Sequence, residues 1–262
     1  MSPRLVVITE SEAEHRFVAN RICREFDVAA ILVTDPVPGR SWKKVIRKSV
    51  FEFADKALWR LFLAATGDRE KRRRDVEAVL GRENCAEFHE SSKVIAVGRP
   101  KGGRLRAEVE RLDPDYIAIY GTGIVPNSVL GKARKRALNM HTGISPYYRG
   151  TACAFWPIYE GEPEWIGATV HECVPAVDGG EIYSTARASL RRGDSLHAVF
   201  ARAVLVGADA YVDVLRQATS GRLNGVPQDL TVGREYRGYM RGLRSELIAR
   251  WQLRKLNRTW PA

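Results

Sequence analysis

Leu5-Val-Val-Ile-Thr9 and Val28-Ala-Ala-Ile-Leu-Val-Thr34 are two short apolar runs, the mark of strands buried on both faces. Between them, Ser11-Glu-Ala-Glu14 has the spacing of a capping box and predicts a helix running to about Phe26. A strand, a helix and a strand in this order predict a right-handed crossover between parallel neighbours, and hence an α/β chain. The pattern returns as Val94-Ile-Ala-Val97, a polar helical stretch from Gly103 to Leu112, and Tyr116-Ile-Ala-Ile-Tyr120. Ala137 to His141 and Ile166 to Cys173 read as further strands, with helix between them from Thr151 to Glu160. The whole predicts a Rossmann-like, mostly parallel sheet.

Two segments do not fit that alternation. From about Ser41 to Arg82, apolar residues at Trp42, Val45, Ile46, Phe53, Ala54, Trp59, Leu61 and Phe62 recur at helical spacing, which predicts a helical insertion broken near Thr66-Gly67. It carries Lys43, Lys44, Arg47, Lys48, Lys56, Arg60 and the run Lys71 to Arg74, which reads as a solvated helix face or as a surface for an acidic partner. A helix over Asp194 to Ala218 has Leu196, Val199, Phe200, Val204, Ala208, Val212 and Leu215 on one face. Beyond Gly225 the tail interleaves Arg234, Arg237, Arg241, Arg244, Arg250 and Arg254 with Tyr236, Tyr239, Trp251 and Trp260. That pattern suits a terminal helix packing its aromatics on the domain, or a strip binding single-stranded nucleic acid. The expected division is a catalytic domain over 1–190 and a basic C-terminal helical extension over 191–262 packed on it.

With 262 residues, 45% of them hydrophobic, the chain can bury one large core or two modest ones. Its 42 Lys and Arg against 31 Asp and Glu give a formal charge of +11 and direct attention to anionic ligands. Cys23, Cys85, Cys153 and Cys173 are scattered without a CxxC pair, which disfavours a zinc ribbon or a disulfide scaffold and fits a cytoplasmic setting. The apolar run at Leu5 to Ile8 is too short for a signal-peptide core, and no apolar stretch reaches membrane-spanning length, so no membrane role is expected.

The chemistry gathers in Asn139-Met-His141-Thr-Gly-Ile-Ser-Pro146-Tyr-Tyr-Arg149-Gly150 and in Asp178-Gly-Gly180. Asn139 and His141 are two apart on a strand end, so both side chains face one way and reach one reacting atom. Asp178, before two glycines, sits where a tight loop brings a carboxylate beside the imidazole and raises its proton affinity. Together, Asn139, His141, Pro146, Tyr148-Arg149-Gly150 and Asp178-Gly179-Gly180 resemble the 10-formyltetrahydrofolate-dependent formyltransferases. That family includes the glycinamide ribonucleotide, methionyl-tRNA and sugar-nucleotide enzymes. The resemblance covers roughly residues 94–187 and takes in Pro114-Asp115 and Ile124-Val125.

The resemblance implies N-formyl transfer from 10-formyltetrahydrofolate, without a metal, with Asn139, His141 and Asp178 as the catalytic set. In that reading Asn139 and a donating His141 stabilise the oxyanion, each donor worth about 3 kcal/mol. Asp178 takes the proton of the attacking amine, directly or through a water, and His141 or water returns one to the folate nitrogen. Ile124, Val125 and the loop from Val174 to Val177, with Gly179, are expected to line the folate slot, and Tyr148, Arg149 and Gly150 to shape the site. Thr9-Glu10-Ser11-Glu12 stands where the glycinamide ribonucleotide branch has a glycine-rich phosphate turn, and the C-terminal remainder is short and helical for the barrel of the methionyl-tRNA branch. Elimination points to a nucleotide-linked amino sugar as acceptor, with the insertion and tail supplying pyrophosphate contacts or a homodimer surface. The glycinamide ribonucleotide and tRNA acceptors remain alternatives, as do another small amine and a non-catalytic basic RNA-binding protein.

Overall fold

A computed structural model describes residues 3–36 and 50–261. In chain order its elements are β1 (Leu5–Thr9), α1 (Ala13–Cys23), β2 (Val28–Thr34), α2 (Val50–Ala65), α3 (Asp68–Leu80), α4 (Arg82–Ala86), β3 (Val94–Gly98), α5 (Gly103–Leu112), β4 (Tyr116–Tyr120) and α6 (Asn127–Leu130). There follow β5 (Arg136–His141), β6 (Tyr148–Gly150), α7 (Trp156–Glu160), β7 (Gly167–Glu172), β8 (Ile182–Arg187), α8 (Leu196–Thr219), β9 (Arg234–Tyr236) and α9 (Leu243–Leu256). The insertion breaks at Thr66-Gly67 as its spacing predicts, with Gly67 at a φ of 61° between α2 and α3. The helical positions expected at Trp42, Val45 and Ile46, with their lysines and Arg47, lie outside the described residues.

Among the described residues the main sheet has seven strands in the order β3-β2-β1-β4-β5-β7-β8. The first five run parallel, and β7 and β8 turn the edge antiparallel. From β1 the chain moves outward through β2 to β3 and then returns to the other side of β1 as β4. The sheet order therefore reverses at β1 and β4, and a crevice opens at the carboxyl ends of those strands. Helices cover both faces: α1, α3 and α8 share one apolar core with Leu138 and Met140, while α5 and α6 close the other over Val6, Ile8, Ile117 and Ala137.

The segment assigned to a C-terminal extension divides in two. Helix α8 turns Ala201, Val204, Ala208, Tyr211 and Leu215 into the main core, so it belongs to the sheet's own packing. Strand β9 and helix α9 instead join β6 and α7 in a third cluster, where Tyr236 stacks between Trp156 and Tyr148, and where Leu253 and Trp260 are also buried. The tail's arginines are largely engaged within the chain: Arg241 and Arg250 hold the buried Glu246, Arg250 reaches Asp68, and Arg234 pairs with Glu160. Trp251 and Tyr239 stay exposed.

Some local readings are corrected. The cap of α1 falls on Glu12 rather than Ser11, and α1 ends at Cys23. Glu14 cannot reach back as a capping-box partner because it is buried against Arg72 of α3; His15 Nδ1 accepts the Glu12 N–H instead, at 3.3 Å. Helix between Thr151 and Glu160 starts only at Trp156, since Ala152 takes a φ of 60° and the chain before it is the strand β6. Among the described residues no helix is long and apolar enough to cross a membrane.

Candidate active site

Strand β5 alternates as its sequence requires: Leu138 and Met140 enter the core, so Asn139 and His141 share the opposite face. The antiparallel ladder to β7 sets Asn139 opposite His171 and His141 opposite Thr169. Asn139 Nδ2 lies 3.1 Å from His171 Nε2. Thr169 Oγ1 donates to the Gly143 carbonyl at 2.8 Å and accepts the Ser145 N–H at 3.0 Å, which fixes the turn after β5. A side chain at Gly143 would overlap Cys153 and the His141 ring.

Asp178 arrives from the other end of β7 on a loop that places it at a φ of 47°. Its Oδ2 accepts the Gly150 N–H at 2.7 Å and lies 3.5 Å from His141 Nδ1, while Oδ1 lies 3.4 Å from His171 Nε2. Gln228 clamps the loop from behind, its Nε2 donating to the Asp178 carbonyl at 2.9 Å and also to that of Gly180. At Gly180 a Cβ would strike the Glu172 carbonyl, which is why the turn after Asp178 has no side chain there.

The two imidazoles are oriented by backbone. His141 Nε2 is 3.1 Å from the Tyr148 carbonyl and His171 Nδ1 is 2.8 Å from the Glu172 carbonyl. A carbonyl only accepts, so each ring spends an N–H there and turns its other nitrogen toward Asp178. Burial alone would raise the Asp178 carboxyl, but His141, His171 and the Gly150 N–H outweigh it and hold the group well below its ordinary value. Burial also holds His141 below the ordinary imidazole value, against the pull of Asp178. The result is an ionised carboxylate set between two imidazole nitrogens, an arrangement that takes up a proton and shares it.

Asn139, His171 and Asp178 face a cleft of about 620 Å³. Ile124, Val125, Val174 and Val177 line it, and Ile124 is 72% exposed, so the slot presents apolar surface to a ligand. Cys173 also lines it, but burial, with Asp178 and Glu172 nearby, pushes its thiol up to about 12, so it stays protonated and is no nucleophile.

Such a carboxylate and amide in a cleft lined by apolar side chains is the kind of site the sequence motifs imply, and the profile of the formyl transferase family matches residues 79–215. The chain belongs to the formyl transferase family. The methionyl-tRNA formyltransferase of Lacticaseibacillus casei is 30% identical over 164 residues, which is 62% of this chain and 51% of that protein. The chain thus spans about half the length of the curated relatives it matches. In fold it is similar to a sugar N-formyltransferase from Shewanella, with a TM-score of 0.57 at 13% identity over 96% of this chain and 87% of the other. It is equally similar to a glycinamide ribonucleotide transformylase from Symbiobacterium toebii, with a TM-score of 0.57 at 17% identity over 87% of this chain and 95% of the other.

The structure sorts the expected residues by position. Asn139 and Asp178 reach the cleft, whereas His141 lies behind Asp178 with both nitrogens turned to protein groups, so the second group beside Asn139 is His171. His171 had no motif to announce it; its signal was only an alternate position in a predicted strand whose antiparallel pairing to β5 was not foreseen. Ile124, Val125, Val174 and Val177 line the cleft, but Gly179 does not: it packs behind the loop against Ala176 and Leu230. Tyr148 and Gly150 act through backbone, on His141 and Asp178 respectively. Arg149 donates to the Pro146 and Leu230 carbonyls, tying the two loops together. The segment Glu235 to Gly238 also lines the cleft.

Proposed function

We propose that the chain transfers the formyl group of 10-formyltetrahydrofolate to the primary amine of a nucleotide-linked amino sugar. The observation that carries the transfer chemistry is Asp178, ionised and set between His141 and His171 beside Asn139. The apolar lining of the slot by Ile124, Val125, Val174 and Val177 suits the folate ring system, and no group of three or more His, Cys, Asp or Glu among the described residues could hold a metal. When bound, 10-formyltetrahydrofolate supplies an activated formyl carbon. Asn139 offers its remaining amide N–H to the negative charge that develops on the formyl oxygen. Asp178, with His171 Nε2 beside it at 3.4 Å to share the charge, accepts the proton released by the attacking amine as the new C–N bond forms. The Asp178–His171 pair then returns that proton to the departing folate nitrogen as its bond to the formyl carbon breaks, so the site ends as it began.

The acceptor assignment is supported by the acidic turn after β1, where Glu10 and Glu12 stand on the crevice and repel a phosphate bound directly there. A tRNA-linked amine is the second reading, favoured by the 30% identity to methionyl-tRNA formyltransferases. The test is release of tetrahydrofolate with glycinamide ribonucleotide, initiator methionyl-tRNA and nucleotide-linked 3-amino and 4-amino sugars. Turnover of a sugar supports the assignment. Turnover of the ribonucleotide or tRNA with no sugar accepted overturns it.

A further inference from the structure

Beside the cleft, along the same carboxyl edge of the sheet, lies a second cavity of about 780 Å³. It sits where the sheet order reverses, with Glu10 and Gly121 from the ends of β1 and β4 at its inner rim and the start of α3 as its outer wall. Gly121 faces this cavity while the adjacent Thr122 and Gly123 line the cleft. The register pairs Thr9 with Tyr120 and Ile119 with Asn139, so the ends of β1 and β5 are two strand spacings apart, roughly 10 Å. A ligand whose amine rests at Asn139 therefore reaches this cavity within the length of a sugar and its first phosphate.

The charges on the walls are of two kinds. Glu14 is neutralised by Arg72, and Arg73 is held between Glu70 and Glu77. Glu10 and Arg69 face the same cavity, and among the described residues neither side chain makes a hydrogen bond or ion pair. His15 is 8% exposed; its Nδ1 accepts the Glu12 N–H, so the neutral ring carries its proton on Nε2. That nitrogen has Glu14 as its nearest carboxylate, at 4.0 Å, beyond hydrogen-bond reach. The cavity thus offers a carboxylate acceptor and an imidazole donor at the sheet edge, with a free guanidinium at its outer rim.

We propose that this cavity seats the acceptor, with Arg69 of the insertion holding the diphosphate and Glu10 and His15 bonding hydroxyls of the sugar. The inference rests on the formyl-transfer reading for the amine, but the binding it describes needs no turnover. An amino sugar bonds well to an unpaired carboxylate and an N–H, whereas a phosphate at the sheet edge meets Glu10 and Glu12. The insertion is then the element that sets acceptor choice, by placing a cation across the cavity from the sheet edge.

The experiment is calorimetric titration of UDP, dTDP and GDP into the whole chain and into its Arg69→Ala and Arg69→Glu variants, with 5-formyltetrahydrofolate as the control ligand. At least one nucleoside diphosphate is expected to bind, and to weaken about tenfold or more in both variants, while the folate affinity stays unchanged. Hydrogen exchange with that diphosphate present should slow at residues 67–73. Retained folate binding certifies that the variants are folded, as expected for an exposed arginine. Absence of diphosphate binding to the unmodified chain, or binding indifferent to both substitutions, overturns the proposal. Loss of formyl transfer to every amine, with Arg69-dependent binding intact, counts against the catalytic reading alone.

Discussion

Gly150 N–H donates to Asp178 Oδ2 at 2.7 Å, across a turn of chain that brings β6 against the loop after β7. Only a backbone donor reaches there, because Gly150 has a φ of 96° and a Cβ would strike the Tyr236 carbonyl. This bond, with the two imidazoles, keeps Asp178 charged in a buried place. Asp178→Asn should fold and should lower turnover by about a hundredfold or more, since the amide can neither hold the shared proton nor stabilise an imidazolium. Steady-state rates with a working amine measure it. A variant within tenfold of the parent would remove Asp178 from the mechanism.

The same group predicts an acid response. Its folded value is depressed, so its stabilisation is complete above the ordinary carboxylate value of about 3.9 and is lost as pH falls through the lower folded value. His141 is depressed as well, so its contribution is complete above about 6.5 and declines as pH drops from there toward its folded value. Both act in one direction: stability should fall with falling pH. Urea midpoints between pH 2 and pH 7 should show Asp178→Asn lacking the part of that decline below about pH 4. Superimposable curves would mean the carboxylate is not held as described.

Periodicity carried the sheet because each parallel strand is a continuous apolar run, as in Leu5–Thr9 and Tyr116–Tyr120, and because Asn139 and His141 two apart must share a face. What pattern could not supply was pairing at a distance. His171 joins the site only because β7 runs antiparallel to β5, and the three-residue strands at Tyr148 and Arg234 are too short to leave a periodic signal. That Gly179 stays off the cleft lining has the same origin, since its neighbour Leu230 comes from a distant, irregular segment.

Tyr211 shows how the core supports the site. It is fully buried on α8, and its hydroxyl accepts the Ile119 N–H and donates to the Leu138 carbonyl, each at 2.7 Å, joining β4 to β5 beside Asn139. Tyr211→Phe leaves both backbone groups short of a partner at no change in packing, which should cost about 1–3 kcal/mol of stability. Urea denaturation at neutral pH reads this directly. A loss below about 0.5 kcal/mol would show that the strands satisfy those groups without the tyrosine.

The proposed folate slot has a sharper probe in Val125, which lines the cleft and is 8% exposed. Val125→Arg puts a long cation across an apolar slot and should abolish binding of 5-formyltetrahydrofolate. Binding of a nucleoside diphosphate, seated in the other cavity, should survive. Unchanged folate affinity would place the cofactor elsewhere.

Gln228 is the residue on which the position of Asp178 most depends from outside its own loop. Asp178 occupies left-handed backbone space that a non-glycine residue adopts at a cost of about 1–3 kcal/mol, and Gln228 Nε2 holds it there through the Asp178 and Gly180 carbonyls. Gln228 touches neither cleft nor substrate slot, so it acts as a positioning residue. Gln228→Ala should lower kcat about tenfold or more while KM for folate moves little, because the slot walls are untouched. With the carboxylate drawn away from the imidazoles, its depressed value should rise toward the ordinary one, and the acid limb of the pH–rate profile should move up with it. Gln228→Glu keeps the size but turns an acceptor-only group on two carbonyls, and it should be impaired at least as much. If both variants keep the parent kcat and the parent acid limb, Asp178 is held well enough by Gly150 and its histidines, and the clamp is dispensable.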